Sequence, residues 1–147
     1  MTTTGHVAAP ADQAGRWQRL ATPLVTVGAL ATGAAALHLR DPHAQGSWGY
    51  CPSRVLFGIS CPGCGGLRAV NDLTHGDLLA AASSNLLFVA SLPLIAWVVV
   101  RWVLGAWSGQ PYRPRWAASR AFQVAAVSAV VLFTVLRNTP AGAWLAP

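Results

Sequence analysis

The sequence contains no lysine and no glutamate, and its 147 residues carry only four aspartates against ten arginines. Charged residues make up 10% of the chain, whereas a soluble domain carries about 25%. So few charges would leave a water-soluble fold with too much exposed apolar surface, so the composition favours a protein dissolved in a lipid bilayer. The arginines flank apolar runs and form no basic stripe, which argues against nucleic acid as a partner.

Several catalytic motifs are also missing. The chain has no Gly-x-Ser-x-Gly, no His-Glu-x-x-His and no P-loop, so we do not expect a hydrolase of those classes. No acidic residue lies inside an apolar run, where it could relay protons or bind cations, which argues against a transporter. The sequence therefore favours a non-enzymatic protein.

Long apolar runs are present at about residues 20–39, 86–107 and 117–136. A helix of about 20 residues spans the roughly 30 Å hydrocarbon core of a bilayer. We predict an all-α integral membrane protein with three transmembrane helices, forming one helical membrane domain over 20–147 after a flexible tail at 1–19. A cleaved signal peptide is the alternative for the first run, but the run is long and its small-residue triplet at 34–36 lies inside it.

The arginines also predict an orientation. With the N-terminus in the cytoplasm, six arginines lie on the inner side and four outside, and those next to the first and third runs carry most of the bias. We expect a multi-pass plasma-membrane protein whose N-terminus is cytoplasmic and whose polar interval at 40–85 faces outward.

All three cysteines lie in that interval, as Cys51-Pro52 and as Cys61-Pro62-Gly63-Cys64-Gly65. The pattern predicts an amphipathic helix over 62–75, with Cys61 as N-cap and Pro62 as its first residue.

Polar residues in and after that helix have simple structural interpretations. Asp77 is expected to cap the helix that leads into the second span, and Asn85 to cap or bridge helices. Arg68 and Asp72 are expected to pair at i, i+4, and His75 to hydrogen-bond the turn that follows it.

Three functional hypotheses compete for the cysteines, beside inert thiols. A structural disulfide would join Cys51 to Cys61 or Cys64, as is common outside the cytoplasm. A zinc site would use Cys51, Cys61, Cys64 and His75, with His38 or His43 as less favoured fourth ligands. A redox protein would use Cys61 and Cys64 with Cys51 as resolving thiol, although no thioredoxin-like pattern surrounds them.

Taken together, these residues resemble an uncharacterised family of small bacterial membrane proteins, a domain-of-unknown-function family. Its signature is Cys-Pro, then Cys-Pro-x-Cys-Gly-x-Thr-Arg, a His-Gly-Asp turn, an Asn before the next span and an Arg-Asn pair after the last. The resemblance implies a membrane location and an all-helical fold, and no activity. The usual Thr and a Pro are here Leu67 and Leu86. The matching residues are Cys51, Pro52, Cys61, Pro62, Cys64, Gly65, Arg68, His75, Gly76, Asp77, Asn85, Arg137 and Asn138.

The leading functional hypothesis is an accessory or interaction component of the cell envelope, whose Cys/His loop is stapled by a disulfide or by a metal, with zinc as the candidate. Its expected partners are the bilayer and either another membrane protein or further copies of this chain. A membrane thiol–disulfide redox protein is the alternative, and a small oligomeric transporter is the third hypothesis.

Overall fold

A computed structural model describes residues 11–44, 48, 51–110 and 112–145. Those residues form helices and no β-strand, which confirms the predicted all-α class. The α-helices are α1 (Ala11–Leu39), α2 (Pro52–Phe57), α3 (Gly66–Thr74), α4 (Leu78–Ser108) and α5 (Arg120–Arg137), and two 3₁₀ helices cover Arg115–Ala118 and Pro140–Leu145.

Three helical segments are long and apolar enough to cross a membrane: Gly15–Leu39, Leu78–Ser108 and Arg120–Arg137. Large apolar side chains are exposed along all three, and few apolar residues are fully buried. Continuous exposed apolar surface of this extent is unfavourable in water and favourable in lipid. The three predicted spans are therefore confirmed as helices, and the architecture is that of a multi-pass membrane protein.

The first helix begins earlier than the sequence predicts. It starts at Ala11, so residues 11–19, expected to belong to a flexible tail, are helical. Residues 11–22 contain no proline and follow Pro10, and a helix readily begins just after a proline. The rest of the predicted tail, residues 1–10, lies outside the described residues.

The second long helix is also longer than predicted and has one break. Asp77 Oδ1 accepts a hydrogen bond from the backbone N–H of Ala80 at 2.8 Å, so the predicted cap is confirmed. At Asn85 the backbone leaves the helical region, with φ −159° and ψ 91°, and Asn85 Oδ1 accepts from Phe88 N at 3.0 Å. Asn85 thus caps the membrane-spanning part of α4, and the predicted boundary at residue 86 coincides with this break.

Consecutive long helices (α1, α4 and α5) run antiparallel, so the bundle has two distinct ends. At one end, Asn71 of α3 donates to the carbonyl of Leu37 near the end of α1. We call this the cysteine end, because it carries residues 51–64. At the other end, the guanidinium of Arg16 in α1 stacks on Trp107 in α4, 5.2 Å from the ring centroid. We call this the arginine end.

Candidate functional site

The three cysteines converge at the cysteine end although ten residues separate the first from the second. Their Sγ atoms lie 3.0 Å apart for Cys61 and Cys64, 3.0 Å for Cys64 and Cys51, and 3.5 Å for Cys51 and Cys61. All three are free thiols; Cys64 is buried and the other two are partly exposed. Three thiols this close together could hold a metal ion.

Cys51 is positioned by a short helix that the sequence analysis did not predict. It is the N-cap of α2, and its carbonyl accepts from the N–H groups of Arg54 and Val55 at 3.1 Å. Pro52 occupies the first helical position, where proline is favoured. Gly58 ends α2 with φ 67°, which returns the chain towards the second pair of cysteines.

Cys61 and Cys64 are brought together by a tight turn rather than by a helix. Cys64 N donates to Cys61 O at 3.1 Å, and Gly66 N donates to Gly63 O at 3.0 Å. Gly65 has φ 81°, a conformation that favours glycine, and it is the N-cap of α3. The prediction that the helix begins at Pro62 with Cys61 as its cap is therefore wrong, because residues 62–65 form the turn that aims both thiols at one point.

Two buried polar side chains hold the backbone of this turn. Arg137 Nη1 donates to the carbonyls of Cys61 and Cys64, at 2.8 and 3.1 Å, and Nη2 donates to Leu145 O at 3.0 Å. Asn85 Nδ2 donates to Pro62 O at 2.9 Å and Cys64 O at 3.1 Å. Asn85 and Arg137 are only 1% and 2% exposed. Both therefore fix the cysteine turn through its carbonyl groups.

Asn138 supports the segment just before the turn. Its Oδ1 accepts from Ser60 N at 2.8 Å, and its Nδ2 donates to Ser60 O at 2.9 Å. The side-chain amide thus pairs with both backbone groups of Ser60, as a neighbouring β-strand would. Arg137 and Asn138 were singled out from the sequence without a role and Asn85 as a helix cap or bridge, and the structure brings all three to the cysteine loop.

His75 does not join the cysteines. Its Nδ1 lies 2.9 Å from the carbonyl of Asn71 in the preceding helix, not in the turn that we expected it to bond, and its ring stacks on His38 with centroids 4.3 Å apart. His43, which like His38 was a less favoured fourth ligand, has its Nε2 at 2.8 Å from Asp72 Oδ1. The predicted four-ligand set of Cys51, Cys61, Cys64 and a histidine is therefore reduced to its three thiols.

Arg68 also lies apart from the thiols, and the expected Arg68–Asp72 pair is not formed. Arg68 Nε donates weakly to Pro42 O at 3.4 Å. Asp72 is buried, and its second oxygen accepts from the hydroxyl of Ser84 at 2.8 Å. A buried carboxylate needs hydrogen-bond partners, and His43 and Ser84 supply them from two other segments.

The thiols differ in their protonation. The Ser53 hydroxyl lies 3.0 Å from Cys51 Sγ and is the main cause that lowers the pKa of Cys51 from 9.0 to about 6, with the hydrogen bond from Cys64 next. Burial, followed by hydrogen bonds to the other two cysteines, raises the pKa of Cys64 to about 12. In the metal-free protein at neutral pH, Cys51 is therefore a thiolate that accepts a hydrogen bond from the protonated Cys64 thiol.

Sequence reasoning missed Ser53 and the actual partners of Asp72, which both shape this end of the molecule. Ser53 lies beside Cys51, and a serine two positions after a cysteine at a helix start is a weak signal that could have indicated it. Asp72 links three segments, but nothing in its local sequence indicates His43 or Ser84 as partners.

Comparison with curated proteins and with solved structures finds no match to this chain. A family model does match part of it, beginning at Cys51 and ending inside α4. The matched segment contains all three cysteines and Asn85 but ends before Arg137 and Asn138, and the detailed signature and the bacterial origin stay predictions. Residues 51–99 match the family described as a protein of unknown function, DUF2752, which confirms the expected resemblance to a family without assigned activity.

Proposed function

We propose that this chain is a membrane protein that binds one divalent, thiophilic metal ion, with zinc as the first candidate, through Cys51, Cys61 and Cys64. The observation that carries the proposal is the mutual approach of three thiols from two separate segments. In this role the metal is a staple: it ties α2 to the turn before α3 and gives the cysteine end a fixed shape for a partner to recognise.

The size of the thiol cluster suits such an ion. With Zn–S bonds of about 2.3 Å in a tetrahedral site, sulfur atoms lie roughly 3.8 Å apart. The thiols would have to spread by less than about 1 Å to reach that separation from the distances given above. Thiolate ligands also favour zinc and other soft ions over magnesium or calcium.

Charge supports a divalent ion in particular. Three thiolates and one divalent cation carry a net charge of −1, and Arg137 supplies +1 beside them through its bonds to the carbonyls of Cys61 and Cys64. Arg137 is buried, and its Nε has no hydrogen-bond partner among the described residues. A buried guanidinium needs a negative neighbour, and the metal-bound thiolates are the group that fits.

The fourth coordination position would come from outside the three cysteines. His38, His43 and His75 are engaged with one another or with Asp72 and Asn71. A water molecule or a residue of a partner would complete the four ligands that zinc prefers. This is where we expect a second membrane protein, or another copy of this chain, to make contact.

The test is the metal content of the full-length protein, purified in detergent under reducing conditions. We expect about one zinc per chain in the wild type, as one four-coordinate site requires, and its loss in Cys51→Ser, Cys61→Ser and Cys64→Ser. His75→Ala is the matched control and should keep the metal. Metal content that is equally low in the wild type and the serine variants would reject the proposal.

A thiol–disulfide redox function is the second candidate, and the asymmetry of the thiols favours it. The Cys51 thiolate would attack the disulfide of a partner, form a mixed disulfide and release one partner thiolate. Cys61 would then attack Cys51 Sγ and break the mixed disulfide, which releases the second partner sulfur. This step leaves a Cys51–Cys61 disulfide in this chain and a dithiol in the partner. Cys61→Ser should then trap the mixed disulfide, which non-reducing electrophoresis would detect, whereas the metal staple predicts no such adduct.

We further propose that the cysteine end faces the outside of the plasma membrane. Arg16, Arg19 and Arg113 lie together at the opposite end, and the positive-inside tendency favours the cytoplasm for that end. A membrane-impermeant maleimide should therefore label the cysteines of intact cells after reduction and metal chelation. Labelling that requires lysis would reverse the orientation.

A further inference from the structure

A cavity of about 310 Å³ opens at the arginine end, far from the thiols. Arg19 of α1, Trp102 of α4 and the loop residues Tyr112 and Arg113 line it. Because two helices and one loop contribute to its wall, the cavity is a feature of the folded bundle and not of one local segment.

No acidic side chain among the described residues compensates the charge of the cavity. Neither Arg19 nor Arg113 makes a salt bridge within the part of the chain that the structure describes. The aspartates whose side chains are described, Asp41, Asp72 and Asp77, belong to the segments of the cysteine end. Two guanidinium groups around one cavity therefore attract an anion, and guanidinium groups match the oxygens of a phosphate well.

Tyr112 forms part of the cavity wall. Its hydroxyl oxygen is buried among protein atoms and is therefore not exposed to the cavity. The guanidinium of Arg101 lies over the Tyr112 ring, 5.4 Å from its centroid, and restrains the ring.

The cavity wall is held in place by direct backbone packing. A Cβ atom at Gly105 would lie 2.6 Å from Gln110 O and 3.0 Å from Tyr112 N, so only glycine lets the loop approach α4 this closely. Gly109, with φ 73°, ends α4 and turns the chain back over the helix. The loop therefore presents Tyr112 and Arg113 at a set position before any ligand binds.

The level of the cavity along the bundle identifies the ligand. Trp102 and Trp107 lie near the end of a membrane-spanning helix, where tryptophan marks the headgroup region, and basic pockets there bind anionic headgroups. We propose that the cavity binds the phosphate of an anionic phospholipid headgroup through Arg19 and Arg113. This proposal does not depend on the metal site.

The test compares three additives on the full-length protein in neutral detergent: phosphatidylglycerol, phosphatidylcholine with the same acyl chains, and inorganic phosphate. The thermal unfolding midpoint is recorded against additive concentration to give an apparent affinity. We expect a rise with phosphatidylglycerol and a much smaller one with phosphatidylcholine. A comparable rise with inorganic phosphate, with or without a rise with phosphatidylglycerol, would support a phosphate-binding site but identify the free ion as one of its ligands.

Variants separate this site from general attraction to charge. Arg19→Gln and Arg113→Gln should each weaken the apparent affinity by about fivefold, as one arginine near an anionic surface contributes. Arg115→Gln, in the same loop but outside the cavity, is the matched control and should change little.

Two results would overturn the proposal. One is the absence of any midpoint rise in the wild type with either phosphatidylglycerol or phosphate. The other is an equal loss of affinity in Arg19→Gln, Arg113→Gln and Arg115→Gln, since only net charge would then matter.

Discussion

At the cysteine end of the bundle, buried Asn85 and Arg137 donate to the carbonyl groups of one short turn, so the polar side chains are consumed by the fold itself. At the arginine end, Arg19 and Arg113 line an open cavity. Both ends are polar caps on an apolar bundle, yet among the described residues only the cysteine end uses a buried guanidinium to hold backbone carbonyls. This difference indicates that the first end is built for rigidity and the second for an external ligand.

Replacing Arg137 should produce the largest effect. Arg137→Met removes three hydrogen bonds from a charged donor to the carbonyls of Cys61, Cys64 and Leu145, although Cys64 O keeps Asn85 Nδ2 and Cys61 O keeps Cys64 N as donors. A hydrogen bond to a charged group contributes about 1.5–3 kcal/mol, so the free energy of unfolding should fall by about 3–5 kcal/mol. Unfolding by denaturant in detergent micelles would measure it.

The matched control lies on the same helix. Arg120→Met, at the exposed start of α5 in the arginine end, should change the free energy of unfolding by less than about 0.5 kcal/mol. Equal losses for the two arginines would remove the contrast between the two ends.

Differential alkylation of the metal-free protein should show the next largest effect. At neutral pH the pKa of about 6 keeps Cys51 mostly ionised, and the pKa of about 12 keeps Cys64 protonated. Cys51 is far more ionised than Cys64, but the more basic thiolate of Cys64 is more nucleophilic. We therefore expect Cys51 to react only about a hundredfold faster than Cys64. Mass spectrometry of iodoacetamide-treated protein would give the rates, and that of Cys51 should fall as the pH drops through about 6. Similar rates for both thiols would contradict the asymmetry.

Gly105→Ala tests the arginine end, where close packing rather than buried polar bonding positions the loop. The new Cβ would collide with Gln110 O, so the loop must shift at a cost of about 1–3 kcal/mol in the free energy of unfolding. Gly33→Ala in α1 meets nothing within 4 Å and should stabilise the helix by up to about 1 kcal/mol. A Gly105→Ala protein as stable as Gly33→Ala would mean that the loop is not held against α4.

Asp77→Ala should have the smallest effect. It removes the side chain that accepts from Ala80 N and so lowers the free energy of unfolding by about 1 kcal/mol. Asp77→Asn keeps a capping oxygen and should recover most of that loss. Because the cap is exposed, its loss should leave the cysteine turn unaltered, in contrast to Arg137→Met.

Local features of the fold followed well from the sequence. The apolar runs predicted three spanning helices, and Asp77 was recognised as a cap because capping depends on neighbours three residues away. The start of α3 was wrong, because proline at 62 suits both a first helical turn and the tight turn that actually forms. The helix after Cys51 was missed because six residues give too short a periodic pattern.

The site itself could be predicted only in part. Two-residue spacing already places Cys61 near Cys64, but the spacing to Cys51 is compatible with many loop paths. His75 was an equally reasonable ligand by sequence, and it lies instead against His38 from another helix. Roles for Arg137 and Asn138 could not be derived, because the segment they hold is more than seventy residues away along the chain.

The sequence by itself determined that the chain is helical and suited to a bilayer, since hydropathy, helix length and capping depend on composition and near neighbours. Only the tertiary structure decided that three thiols meet and none of the described histidines joins them, that Arg137 and Asn85 hold their turn, and that two arginines line a cavity at the far end. The physical reason is that such contacts join separate helices, and helix-to-helix packing in a thin bundle is chosen by the whole set of side chains at once.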